Sequence, residues 1–446
     1  MSKLERVLLS KYVTKVFETP SKDYSEWFGY YNYDTLNHDQ TRMLCNRSKV
    51  DGCYPQKGMI IELGFYDLRT GEWHRIGESD SWNWQQGAMM QWIPGEGNES
   101  KVIYNSSKEG RLISIIFDVE TGEERIIDWP IYGITPDGKK SISLDLERSY
   151  WCRAYHYQSV ANKSKDGRIY EDDGIFEIDL DNNSKKRIIS IQEIIKIDYL
   201  PLFDSQKHWV EHIMINPSGT RFCFLHRFSP PENVMDYTTR LMVANIDGSG
   251  LQCIKGWDNV RWSHFGWCKD DAFAIYTCVP GTLVSVPFRK LLTINGFSLT
   301  TILKRLILRN SSLLSTDFIQ RLGGQTSYYQ FYQLGCDNIF KLVSVFDAKE
   351  SRIDGHPSFT VDGRFMITDT YPNKESWQKL YVYDIENKIV KTLCDFYAYY
   401  RRKPSSCDLH PKLCHNNNYI VVDTAHDEKH HMILFKIDWE TINERQ

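Results

Sequence analysis

The feature that most constrains this chain is a strand–turn–strand unit that returns along nearly its whole length. An alternating apolar strand, a turn built on Asp, Asn, Thr or Gly, and a second short strand occur at Gly64–Glu72, Ile116–Glu123, Ile175–Asn182, Leu241–Gly248, Leu380–Asn387 and Ile433–Glu440. A degraded copy lies at Tyr332–Asn338. Period-two alternation followed by such turn formers is a hairpin signature, because Asp and Asn tolerate turn dihedrals and Gly supplies positive φ. A second element precedes the hairpins: a short strand, a polar turn and a strongly apolar strand, as in Thr135–Ile142, Asn216–Leu225 and Thr360–Ile367. Together the two elements make four strands per unit, which is how a propeller blade is built. An open β-sandwich explains the alternation but not a four-strand period. The predicted fold is all-β, a single seven-bladed β-propeller over residues 1–446.

Two stretches break the period. Residues 150–173 form a polar, aromatic excursion, predicted to lie between blades three and four. Residues 287–325 are predicted to be a helical insertion in blade five, since Leu291, Ile294, Leu299, Ile302, Leu303 and Leu306 recur at helical spacing. That insertion carries Arg289, Lys290, Lys304, Arg305, Arg309 and Arg321 against a single Asp317. A basic amphipathic segment suits peripheral contact with an anionic membrane or a protein partner; a helical pair capping the propeller is the other reading. The net charge of -4 gives no electrostatic footprint for nucleic acid. Met1–Pro20 mixes charged and apolar residues without an unbroken apolar run, so a secretory signal is not expected and the expected compartment is cytoplasmic. The 11 cysteines are scattered and odd in number, and read as reduced thiols.

Aligning the blades on their inner-strand turns exposes a register of histidines. His212, His264, His356 and His410 lie seven residues before Gly219, Asp271, Gly363 and Asn417 respectively. Blades one to three carry Tyr33, Met89 and Ile131 at the same position. The innermost strands of a propeller line its central channel, so equivalent positions converge in space although they are remote in sequence. Several imidazoles meeting in a funnel suit a divalent metal, or a general base and acid acting on an anionic substrate. The plainer alternative is that each ring satisfies backbone groups of its own blade.

Other polar candidates belong near this mouth. Trp82–Gly87 places Asn83, Gln85 and Gln86 beside the indoles of Trp82 and Trp84, the usual equipment for sugar hydroxyls and C–H faces; core indoles with turn amides would read the same way. Arg153, Tyr155, His156 and Tyr157 open the excursion, where a loop could overhang the channel. Arg227 could pair bidentately with a substrate carboxylate, or sit in a salt bridge at a strand end.

In order along the chain, Phe28–Tyr31, Trp82–Gly87, Pro130–Tyr132, His208–His212, Asn216–Arg221, Ser263–Phe265, Asp354–Ser358, Thr368–Pro372 and Asp408–Pro411 form a pattern that resembles the seven-bladed propeller polysaccharide lyases. The ulvan lyases are the nearer likeness and the oligogalacturonate lyases the looser one. The resemblance covers about residues 25 to 425, outside the insertion, and implies β-elimination at a 4-linked uronic acid. That reaction needs a neutralised carboxylate, a base for the C5 proton and an acid for the departing O4. In the oligogalacturonate lyases a manganese ion held by histidines and a glutamine serves the first task, which suggests His212, His264, His356 and His410 as ligands of manganese, zinc or calcium here. In the ulvan lyases His, Tyr and Arg side chains do the chemistry, which makes Tyr155, His156, Tyr157 and Arg227 the catalytic candidates. Asn83, Trp84, Gln86 and Arg153 are the substrate-binding candidates. Where the family pattern has a His pair near blade two, this sequence has Asn83 and Tyr104-Asn105.

Two functions follow. One is a carbon–oxygen lyase acting on uronate-containing oligosaccharide or polysaccharide. The other is a non-catalytic propeller that binds glycan or a protein partner in surface-polysaccharide metabolism, suggested by the absent His pair and the basic insertion.

Overall fold

A computed structural model describes residues 6–20, 22–50, 53–152, 165–254, 261–280, 293–294, 297–298, 325–400 and 406–444. Seven separate antiparallel sheets account for the repeat. Blades 1 to 5 run in chain order from innermost to outermost strand, beginning at Ser25–Trp27, Gln91–Trp92, Gly133–Ile134, Lys207–Ile215 and Arg261–Lys269. Blade 6 starts at Ser358–Phe359 and gains a fifth, outer strand from Val7–Leu9. Blade 7 takes three strands from the C-terminal end, from Lys412–Leu413 to His431–Ile437, and its outermost from Val13–Glu18. Thr14 pairs with Lys436, so the two ends of the chain close the ring by a β-ladder.

The turn chemistry explains why the period is so regular. In blades 1, 2, 3 and 6 one aspartate ends the third strand and caps the following turn. Asp67 accepts from the N–H groups of Arg69 and Thr70, Asp118 from Glu120 and Thr121, Asp179 from Asp181 and Asn182, and Asp384 from Glu386 and Asn387. The inner turns share a left-handed residue, with φ of 71° at Gly138 and Gly219, 69° at Gly363 and 64° at Asn417. Between the sheets a continuous apolar core includes Met43, Leu44, Val102, Ile142, Phe224 and Met242, all fully buried.

Two expectations about the interruptions need correction. Residues 150–173 lie within blade 3, not after it: they link its strand Lys140–Leu144, through the helix Leu146–Cys152, to its strand Gly174–Asp179. The insertion at 287–325 does join two strands of blade 5, Ala272–Pro280 and Gln325–Leu334. Its helical reading lies almost wholly outside the described residues; the exceptions, Thr293–Ile294 and Phe297–Ser298, pair as antiparallel strands, so no helix runs through them. Among the described residues no helix is long and apolar enough to cross a membrane. All eleven cysteines are free thiols.

The central channel is not open. The segment Phe28–Tyr31 leaves the inner strand of blade 1 and crosses it, with Phe28, Tyr30 and Tyr31 all buried. The N–H groups of Phe28 and Gly29 donate to the two carboxylate oxygens of Asp423 in blade 7, at 3.0 and 3.1 Å. Asn46 of blade 1 donates to the carbonyls of Trp27 and Phe28. On the far side the Tyr31 hydroxyl donates to the Phe265 carbonyl of blade 5 at 2.7 Å. Gly29 makes the crossing feasible: its φ is 127°, and a Cβ there would stand 2.6 Å from the Gln86 carbonyl carbon. Gly29→Ala is therefore expected to cost about 2–4 kcal/mol of unfolding free energy in a denaturant titration, from strain and a backbone clash together. Gly97→Ala, where φ is 80° and the space is open, should cost only about 1 kcal/mol.

Candidate metal centre and its surroundings

All four register histidines lie at the inner edge of their blades, and bulges in the inner strands help to aim them. The ladder of blade 4 shifts register between Glu211 and Met214, and that of blade 5 between Trp262 and Phe265. His212 and His410 carry φ of 54° and 43°, and Met89, at the same register in blade 2, has 56°. Such backbone is costly for a residue with a Cβ and persists only where its surroundings enforce it.

The rings do not form one set of four. Three cluster: the His264 and His356 ring centres are 4.0 Å apart, and those of His356 and His410 are 4.3 Å apart. His212 is held elsewhere. Its ring stacks on Tyr30 at 5.0 Å, and its Nε2 lies 3.4 Å from a Glu211 carboxylate oxygen. Tyr30 meets His410 edge-on at 5.4 Å. The channel-crossing tyrosine thus occupies the place where a fourth ligand would converge, which is the physical reason the expected set is reduced.

Among the described residues, His356, Asp408 and His410 each offer a ligand atom within 4.8 Å of the others. The donors are prepared for that use. Asp369 accepts from the His356 backbone N–H at 2.7 Å and pairs with its Nδ1 at 2.9 Å. Burial works to lower the His356 pKa, but the Asp369 carboxylate outweighs it and holds the ring above its ordinary value. With Nδ1 committed, Nε2 is buried and makes no hydrogen bond. Nε2 of His410 is likewise buried without a partner, while the ring bonds the Gly29 backbone of the crossing segment. Burial and the neighbouring His356 hold His410 well below its ordinary pKa, so it is neutral. Two orphaned imidazole nitrogens beside a carboxylate, with an outer carboxylate orienting one ring, are the donor set and outer shell that a divalent ion needs. His264 stands one step out, its Nδ1 paired with Asp354 at 3.1 Å; burial, then the His356 charge, lower its pKa. Tyr371 flanks both rings, edge-on to His356 at 5.8 Å and tilted to His264 at 6.3 Å between centroids.

A cavity opens beside this cluster, between blades 7 and 1. Trp27, Tyr54, Trp84, Asp408 and His410 line it. Trp84 therefore stands at the mouth, with its indole N–H spent on the Cys53 carbonyl and its face against Trp27 at 4.5 Å. Asn83 does not face a ligand: its carbonyl oxygen caps its own turn by accepting from Gln85 and Gln86, and its amide reaches the Gln86 side chain. Gln86 donates to the Tyr132 hydroxyl at 3.0 Å, and with Glu211 and His212 it lines a separate small cavity. Arg227 is committed to a salt bridge, Nη1 to Glu211 at 2.5 Å, under the ring of Tyr237. That pairing neutralises it for a substrate carboxylate. Arg153, Tyr155, His156 and Tyr157 lie outside the described residues.

Asp408, Asp369, Asp354, Tyr30, Tyr31 and Tyr371 are site residues that the sequence reading left out. One signal was present: Asp354-Gly-His356 and Asp408-Leu-His410 repeat the same spacing in consecutive blades, and in extended chain residues two apart face one way.

No protein-family model and no curated protein matches the sequence. Solved structures do match in fold. An oligogalacturonate lyase in complex with manganese aligns over 98% of this chain and 96% of its own, with a TM-score of 0.60 and 14% identity. An oligogalacturonate lyase from Vibrio parahaemolyticus aligns over 96% and 94%, with a TM-score of 0.58 and 14% identity. The protein is a seven-bladed β-propeller, a fold it shares with these two oligogalacturonate lyases.

Proposed function

We propose that this propeller is a divalent-metal-dependent lyase that cleaves uronate-containing oligosaccharides by β-elimination. The observation that carries the reading is the pair of buried, unpartnered Nε2 atoms of His356 and His410 beside Asp408. An ion held by these three residues would supply the positive charge needed to neutralise the uronate carboxylate and acidify the proton at C5. No Lys or Arg is among the described residues lining the cavity, whereas Asp408 and Asp423 are.

The remaining tasks fall to side chains around the ion site. His264 is the base: its lowered pKa keeps it neutral, and Asp354 fixes its tautomer so that the opposite nitrogen can accept a proton. Tyr371 is the acid for O4; burial first, then the carboxylates of Asp408 and Asp354, push its hydroxyl well above its ordinary pKa and keep it protonated. Trp84 offers an aromatic face to the sugar ring. The second reading, glycan binding without catalysis, is favoured by one observation: Arg227, the expected carboxylate clamp, is already spent on Glu211.

Purified protein loaded with Mn²⁺ should generate the ultraviolet absorbance of a conjugated unsaturated uronate from oligogalacturonate. Absence of product across uronate oligomers and polymers, with the ion bound, would leave the binding-only reading. His264→Ala should lower kcat by roughly 10²–10⁴-fold while Mn²⁺ affinity stays unchanged, and His356→Ala should lose both. Trp84→Ala should raise KM by roughly 3–10-fold with kcat nearly constant, the size of one lost aromatic contact; a loss confined to kcat would remove Trp84 from the binding surface.

A further inference from the structure

Closure of the ring brings a second group of ligand-type side chains together, made of residues other than those of the channel cluster and independent of the lyase reading. Val13–Glu18 is the outer strand of blade 7 and pairs with His431–Ile437. Glu18 ends that strand, and the turn before the partner strand carries His426 and Asp427. Among the described residues, one ligand atom from each of His426, Asp427 and His431 lies within 4.8 Å of the other two. Glu18 Oε1 is 3.3 Å from His426 Nε2, and Asp427 Oδ1 is 3.0 Å from His431 Nε2. Around a tetrahedral zinc ion with bonds of about 2.0–2.1 Å, neighbouring donors sit roughly 3.3–3.4 Å apart. The two donor pairs already stand near that separation.

The surroundings point the same way. His426 sets Nε2 against Glu18, while its Nδ1 is buried and makes no hydrogen bond. His431 Nδ1 lies 3.4 Å from the Thr19 carbonyl, the type of outer contact that fixes the tautomer of a ligating imidazole. Lys15 holds the other oxygen of Glu18 at 2.7 Å. Two imidazoles with two carboxylates suit zinc or its neighbours rather than calcium or magnesium, which take oxygen donors.

We propose that the seam between the N-terminal strand and blade 7 is a structural site for a zinc-type divalent ion, held by Glu18, His426, Asp427 and His431. Bound there, the ion locks the ladder that closes the propeller. The test uses the full chain, stripped with a chelator and titrated with Co²⁺ or Zn²⁺. The wild-type chain is expected to develop the visible band of tetrahedral Co²⁺ and to gain roughly 3–5 °C in Tm with Zn²⁺ at a hundredfold excess over its Kd. Asp427→Asn and His431→Gln should each lose the band and one equivalent of bound ion, and the milder Glu18→Gln should weaken binding by roughly 10-fold or more. His356→Ala, which disables the channel cluster, should keep the band. Failure of wild-type protein to show the band, or its survival in both Asp427→Asn and His431→Gln, overturns the proposal and leaves a seam closed by ion pairs alone.

Discussion

Asp423 is the group on which the interior of this molecule depends. Its carboxylate, buried in blade 7, receives the Lys412 ammonium at 2.9 Å and two backbone N–H groups of the segment that crosses the channel. Removing one partner of a buried pair typically costs about 3–5 kcal/mol, and here the loss would also release the crossing segment. That segment stacks Tyr30 on His212, bonds Gly29 to His410 and ties Tyr31 to blade 5. One carboxylate thus fixes the floor of the cluster and the orientation of its rings.

The chemistry above that floor arises from unequal environments for similar groups. His356, His264 and His410 are near neighbours, yet Asp369 raises the first while burial and mutual repulsion lower the other two. Groups pushed apart in this way can take different roles at one pH, which is what the proposed division into metal ligands and base requires. Strained backbone at His410 and His212 is the structural cost of pointing those side chains inward.

The propeller was legible because its signals are local. Aspartate-capped turns and alternating strands need only a few adjacent residues, and they recur at Asp67, Asp118, Asp179 and Asp384. The histidine register followed from the same alignment, since inner strands must share a channel. What the sequence did not reveal depends on partners far away in the chain. Nothing near His212 announces that Tyr30 will stack on it, nothing near Arg227 that Glu211 will claim it across a strand pair, and nothing near His426 that Glu18 will lie beside it once the ring closes. The Asp-x-His repeat at 354–356 and 408–410 was readable, but its meaning appears only when Asp408 is seen to join two rings from different blades.

The central claim is that His356, Asp408 and His410 hold a divalent ion at the mouth of the channel. Crystals of the full chain soaked in Mn²⁺ and measured at the manganese absorption edge test it directly. The account predicts an anomalous peak at bonding distance from Nε2 of both His356 and His410. Manganese density confined to other sites, with those two nitrogens left bare, would contradict it.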